Sequence, residues 1–212
     1  MTNRIEQAVS PISRHAPGSA VRGYTASNAW HAGSALFWVI GGCGLIALGA
    51  SVRIYLPGTV VPLTLQSLAL LLLGLSGPLV PVVAATLFYV ALGVVGLPFF
   101  AGPGGLFGET GGYLLSFAPA VWLMGWMSGG SGVSYVRLLF AGLAGMGLVF
   151  IVGSAWLVLV YNSDLTLAFS AGVAPFLAKA ALEVPLAAGI ARQVRSRGLS
   201  RVEIDGMNGE MA

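Results

Sequence analysis

The chain has 212 residues, of which 57% are apolar and only 8% charged, with a mean hydropathy of +0.89 and a formal net charge of +3. A soluble domain carries roughly a quarter charged residues, so this composition excludes an ordinary water-soluble enzyme and points to one polytopic membrane unit. The small positive charge is no sign of a nucleic-acid partner, because the arginines gather toward the two ends, and the single cysteine, Cys43, excludes an internal disulfide or a cysteine metal cluster.

Residues 1–32 read as a polar cytoplasmic tail without helical period, and no cleaved signal peptide is expected from its Ser, Pro, Arg and Asn content. The first span is expected over Gly33–Ser51, closed by Arg53 and Pro57-Gly58. A second, near Val61–Leu75, is short for a hydrocarbon layer of about 30 Å and is expected to begin with an irregular segment covered by protein. The third runs from Gly77-Pro78 to near Leu97-Pro98. A glycine-rich connection leads into the fourth, Gly111–Met127. The fifth covers Arg137–Tyr161 and the sixth Leu165–Ile190, and a basic tail, 192–212, follows. The expected fold class is therefore all-α, with six transmembrane helices packed between residues 33 and 191.

Charge orients the bundle. With six spans, Arg4, Arg14, Arg22, Arg137, Arg192, Arg195, Arg197 and Arg201 share one side, whereas the other holds Arg53 with Glu109 and Asp164. The excess of arginine in cytoplasmic segments places both termini in the cytoplasm of a bacterial inner membrane. The loops carrying Pro57, Gly104 and Asp164 then face outward.

Between Arg53 and Trp126 the polar side chains are few: Thr64, Gln66, Tyr89, Thr110 and Tyr113 stand out. Such groups are costly in a bilayer unless partnered, so a sparse inward-facing set suggests a substrate cradle. There is no G-x-x-x-x-G-K-[ST] phosphate loop, and both histidines, His15 and His31, lie before or at the edge of the first span. Enzyme chemistry is not expected, nor any cofactor or metal. Uphill uptake would need energy from a partner ATPase or an ion gradient.

The blocks LPGTVVPLTLQSLALLLLG, FYVALGVVGLPFFAGPGG and LFGETGGYLLSF, in this order and spacing, resemble the BioY family of biotin transporters. The resemblance implies a substrate-capture (S) component of an energy-coupling-factor (ECF) transporter, with biotin as ligand. A transmembrane coupling protein and ATPase subunits are its implied partners. It also implies a partner surface of small residues on the first span, here Cys43 to Ala47. Two positions depart from the family pattern. Glu109 stands in the block Gly108–Tyr113 where the family has proline, and no aspartate precedes Lys179, where Ala174-Pro175-Phe176 stand instead.

Biotin needs apolar walls, a few amides or hydroxyls for its ureido ring, and a cation for its carboxylate. The residues expected to bind it are Thr64, Gln66, Tyr89, Phe100, Tyr113 and Lys179, with Phe99 beside Phe100 as part of an apolar cover. Gln66 is the one side-chain amide of the stretch and matches both edges of a ureido group, although an interhelical hydrogen bond is the alternative. Lys179 is the sole lysine and sits within the sixth span, where an ammonium is functional by default. An ion pair with Glu183, one turn later, competes with that reading. Arg53 is the alternative cation, and Asp164 the stand-in for the absent aspartate. A vitamin other than biotin, or transport without the ATPase module, remains open on the sequence.

Overall fold

The computed structural model describes residues 32–55, 62–98, 100, 104–129 and 134–210, with side chains between 35 and 197. The N-terminal tail, the loop around Pro57, Val61 at the expected start of the second span, and Phe99 lie outside the described residues. Helix α1 (Ala32–Ser51) ends where the Arg53 guanidinium donates to Ala50 O at 2.9 Å, satisfying a carbonyl of the last turn. Strands β1 (Arg53–Ile54) and β2 (Leu63–Thr64) form a two-residue antiparallel ribbon, pairing Arg53 with Thr64 and Ile54 with Leu63. This ribbon stands where an irregular, protein-covered lead-in to the second span was expected; instead the chain pairs as β-structure with β1 exposed and β2 half-buried, which qualifies the all-α expectation.

Helix α2 (Gln66–Ser76) is only 11 residues, or about 16 Å, and it occupies the centre of the bundle, against α1, α4 and α7. Its leucines Leu70, Leu71, Leu73 and Leu75 are buried on all these neighbours. A helix this short leaves its polar N-terminal turn, Gln66-Ser67, inside the protein. Helix α3 (Leu79–Val94) starts behind Pro78, which is extended, and packs on α1 and α4. A 3₁₀ turn (Gly105–Phe107) precedes α4 (Gly111–Met127). Helix α5 (Tyr135–Tyr161) is capped by Ser134, whose hydroxyl accepts from Arg137 N. It lies along α4 with Ala141 and Gly145 turned inward, and these small residues form a helix contact.

The expected sixth span is broken. Helix α6 (Leu165–Gly172) stops at Val173, and α7 (Ala174–Glu210) begins again. Pro175 explains the interruption. It has no N–H to give to Ala171 O, so the ladder of α6 cannot run through it, while a proline in the first turn of the new helix is well tolerated. Helix α7 continues unbroken past Arg192, where the composition turns basic. Among the described residues two stretches are long and apolar enough to cross a membrane, Tyr135–Tyr161 and Leu165–Arg197, and shorter apolar helices cover Ala35–Ser51, Gln66–Ser76 and Leu79–Val94.

The small residues of α1 divide between two faces: Gly42 and Cys43 are turned into the bundle, while Gly44 is half-buried with nothing within 4 Å of an added Cβ and Gly41 is exposed. Cys43 is buried in the core with Ile46, and Ala47 packs against that core. On the inward face α1 approaches α3 so closely that a Cβ on Gly42 would lie 2.9 Å from Ala85 Cβ. The outward face of α1 carries Phe37, Ile40, Leu45 and Leu48.

Candidate functional site

The interrupted helices bring polar groups to one place. The N-terminal turn of α2, the first half of α4, the middle of α5 and the start of α7 line one cavity. Leu70, Leu114, Phe117, Met146, Val149, Phe150 and Phe176 give the cavity its apolar lining. Its aromatic part is tilted rings: Phe150 and Tyr113 each lie 6.5 Å from Phe176, centroid to centroid. The cavity's polar lining is Thr64, Gln66, Ser67, Thr110, Tyr113, Lys179 and Glu183.

Three of these polar groups form a closed set. Lys179 Nζ donates to Ser67 Oγ and lies 2.8 Å from Glu183 Oε1, while Ser67 Oγ donates to Glu183 Oε2 at 2.7 Å. The i,i+4 ion pair weighed against a ligand role for Lys179 therefore forms, and Lys179 lines the cavity as well. Burying a pair of opposite charges is tolerable where each finds a partner, and this wall is net neutral.

Gln66 Nε2 donates to Tyr89 Oη at 3.0 Å. Tyr89 is fully buried behind the cavity wall, with its ring 5.8 Å from that of Phe100 in an edge-on arrangement. Phe100 is seated on Gly93, where a Cβ would collide with its ring at 2.1 Å. Tyr89 and Phe100 thus stand behind Gln66 and do not line the cavity. The Tyr113 hydroxyl donates to Gly172 O at 2.8 Å, satisfying a carbonyl at the end of α6 while its ring lines the cavity.

Of the residues expected from sequence, Thr64, Gln66, Tyr113 and Lys179 share the cavity. Arg53, held at the end of α1, and Asp164, which accepts from Leu167 N at 2.6 Å as the N-cap of α6, serve as helix caps and do not line it. Ser67, Thr110 and Glu183 line it without having been singled out as ligand residues. Among the described residues the buried Thr110 hydroxyl oxygen has no hydrogen-bond partner, an arrangement that a bound polar molecule would relieve. Above α4, Trp156 Nε1 donates to Gly108 O at 3.0 Å and Tyr161 Oη to Phe107 O at 2.8 Å, so α5 holds the 3₁₀ turn in place over that end.

Comparison with known proteins supports a single family. A sequence model of the BioY family matches residues 24–199. The chain is 32% identical over 142 residues to the biotin transporter BioY2 of Lactococcus lactis subsp. cremoris (strain MG1363), covering 63% of this chain and 78% of that protein. It is also 32% identical over 156 residues to the probable biotin transporter BioY of Pyrococcus horikoshii, covering 71% and 90% respectively. The crystal structure of the S-component for biotin from an ECF-type ABC transporter superposes with a TM-score of 0.68 at 21% identity, over 81% of this chain and 95% of that one. With the sequence match spanning nearly all the helices and the same fold in a solved structure, the chain belongs to the BioY family.

Proposed function

We propose that this protein captures biotin and carries it across the bacterial inner membrane as the S component of an ECF transporter. The observation that carries the reading is the convergence of the bundle's scarce polar side chains on one cavity backed by aromatic rings. The vitamin has the matching chemistry: an uncharged ureido group with donors and an acceptor, an apolar thioether ring, and an ionised carboxylate. The polar lining offers an amide, hydroxyls, an ammonium and a carboxylate, and the residues between them offer rings and aliphatic surface. No bond is made or broken, so the protein's part is to desolvate, hold and release.

In this reading the helical core, 33–191, crosses the membrane six times, with α6 and the start of α7 together making the last crossing. Both termini are cytoplasmic, and the ends carrying the 3₁₀ turn and Asp164 face outward. Energy comes from a transmembrane coupling protein with ATPase subunits, which engage the protein from the membrane and the cytoplasm.

The direct test is equilibrium binding of radiolabelled biotin to the purified protein in detergent. Saturable binding is expected, weakened about tenfold or more in Gln66→Ala, which removes buried hydrogen bonds. Uptake in cells is expected to require co-expressed coupling and ATPase subunits. Purified wild-type protein that ignores biotin but is stabilised by a different vitamin would sink the ligand assignment, and undiminished uptake without the partners would sink the ECF assignment.

A further inference from the structure

We infer that Glu183 touches the transported molecule: the Ser67–Lys179–Glu183 set seats the uncharged ureido ring of biotin, with Glu183 accepting its N–H donors, and does not seat the carboxylate. This rests on the biotin reading above. Lys179 is the one lysine and the natural seat for an anion, but its ammonium is already matched by Glu183 at 2.8 Å and bonded to Ser67. Both charges lie on the cavity wall, and Glu183 is only 7% exposed.

An ammonium has three donors and a carboxylate about four acceptor sites. Among the described residues, Lys179 donates one hydrogen bond, to Ser67, and faces Glu183 Oε1 as an ion pair, while Glu183 Oε2 accepts from Ser67 and the buried Oε1 accepts no hydrogen bond. Donor and acceptor sites therefore remain to be matched by a guest. A cyclic urea offers N–H donors for the carboxylate and a carbonyl for the ammonium, and it leaves the buried set electrically neutral. A carboxylate offers acceptors alone, meets the Glu183 charge at contact distance, and leaves an uncompensated negative charge in a low-dielectric wall.

The experiment measures affinities of the purified protein for three ligands: biotin; its primary amide, which lacks the tail charge; and 2-iminobiotin, whose cyclic guanidinium head is cationic at neutral pH. In Glu183→Gln the unopposed ammonium is expected to raise the preference for biotin over 2-iminobiotin about tenfold, and in Lys179→Gln the remaining carboxylate is expected to lower it by a similar factor. In both variants the biotin-to-amide ratio is expected to stay within about twofold of wild type, because the tail lies elsewhere. A collapse of the biotin-to-amide ratio in Lys179→Gln, with the 2-iminobiotin ratio unmoved, would overturn the inference and give the carboxylate to Lys179. Ratios unmoved throughout would overturn it as well, leaving a structural ion pair. If Glu183→Gln does not fold, Glu183→Asp keeps the charge and withdraws it by one methylene. That variant is expected to weaken biotin and its amide equally, and unequal losses count against the inference. Wild-type protein that binds none of the three removes the biotin reading itself.

Discussion

At Gly153 the α5 backbone comes so near the ring of Tyr113 that an added Cβ would lie 2.3 Å from Cε1. That ring cannot simply step aside, because its hydroxyl is bonded to Gly172 O and its face lines the cavity. Gly153→Ala is therefore expected to destabilise the protein by about 1–3 kcal/mol through overpacking and to weaken biotin binding. Gly147→Ala, on the same helix with nothing within 4 Å, is the control and is expected to be neutral or slightly stabilising. Thermal unfolding in detergent, with and without biotin, distinguishes them, and equal behaviour of the two variants would refute the close-packing account. Residues of this kind show how unevenly a site can be read from sequence. Gln66, Tyr113 and Lys179 stand out because an amide, a phenol or an ammonium is rare among apolar residues. Ser67 does not, because a serine or threonine in a helix commonly bonds its own backbone, as Thr86 does to Val83 O and Ser154 to Phe150 O.

Elements, more than single residues, create the cavity. Helix α2 is too short to fill the depth of the bundle, so its polar first turn is delivered to the interior, and the break at Val173 brings the start of α7 against it. At the far ends of α2 and α4 one side chain joins three helices. Arg195 on α7 donates to Leu75 O at 2.7 Å, to Ser128 O at 2.7 Å and to Ser128 Oγ at 3.2 Å. Both carbonyls belong to helix ends and to fully buried residues, where a guanidinium satisfies them and complements the negative end of each helix dipole. Arg195→Ala is expected to lower stability by about 1–3 kcal/mol, the loss of charge-assisted bonds to buried acceptors. Arg195→Lys, a point charge in place of a fork, is expected to recover only part of this. Unfolding midpoints of the alanine variant equal to wild type would show that the clamp contributes nothing.

For the whole molecule, charge asymmetry is the basis of the proposed topology, with eight arginines on one side and Arg53 on the other. In a Cys43→Ala background, a cysteine at Asp164 is expected to react with a membrane-impermeant maleimide in spheroplasts. One at Ser10 is expected to react only after the membrane is opened. The reverse pattern would invert the molecule and place the cavity's covering turn in the cytoplasm. The helix order and most helix boundaries were legible because Pro, Gly and charge punctuate long apolar runs. The discontinuity before Ala174 was signalled by Pro175, although an apolar run on both sides disguises it. The continuation of α7 beyond Arg192 was not legible, because a polar sequence reads as solvated tail until Arg195 is seen to bond the neighbouring helices.

By itself the sequence determined the solvent this chain folds for, the identity of its few costly side chains and the family they belong to. Those properties are local: hydropathy, residue type and the spacing of motifs need no partner to be read. Only the tertiary structure decided which polar groups meet. It set Tyr89 behind Gln66 as a support, turned Arg53 and Asp164 into helix caps, and converted the lone lysine into half of a neutral pair with Glu183, bridged by Ser67. Such contacts join residues as far apart as Ser67 and Glu183, and they depend on the depth at which a short helix ends and on where a proline interrupts another.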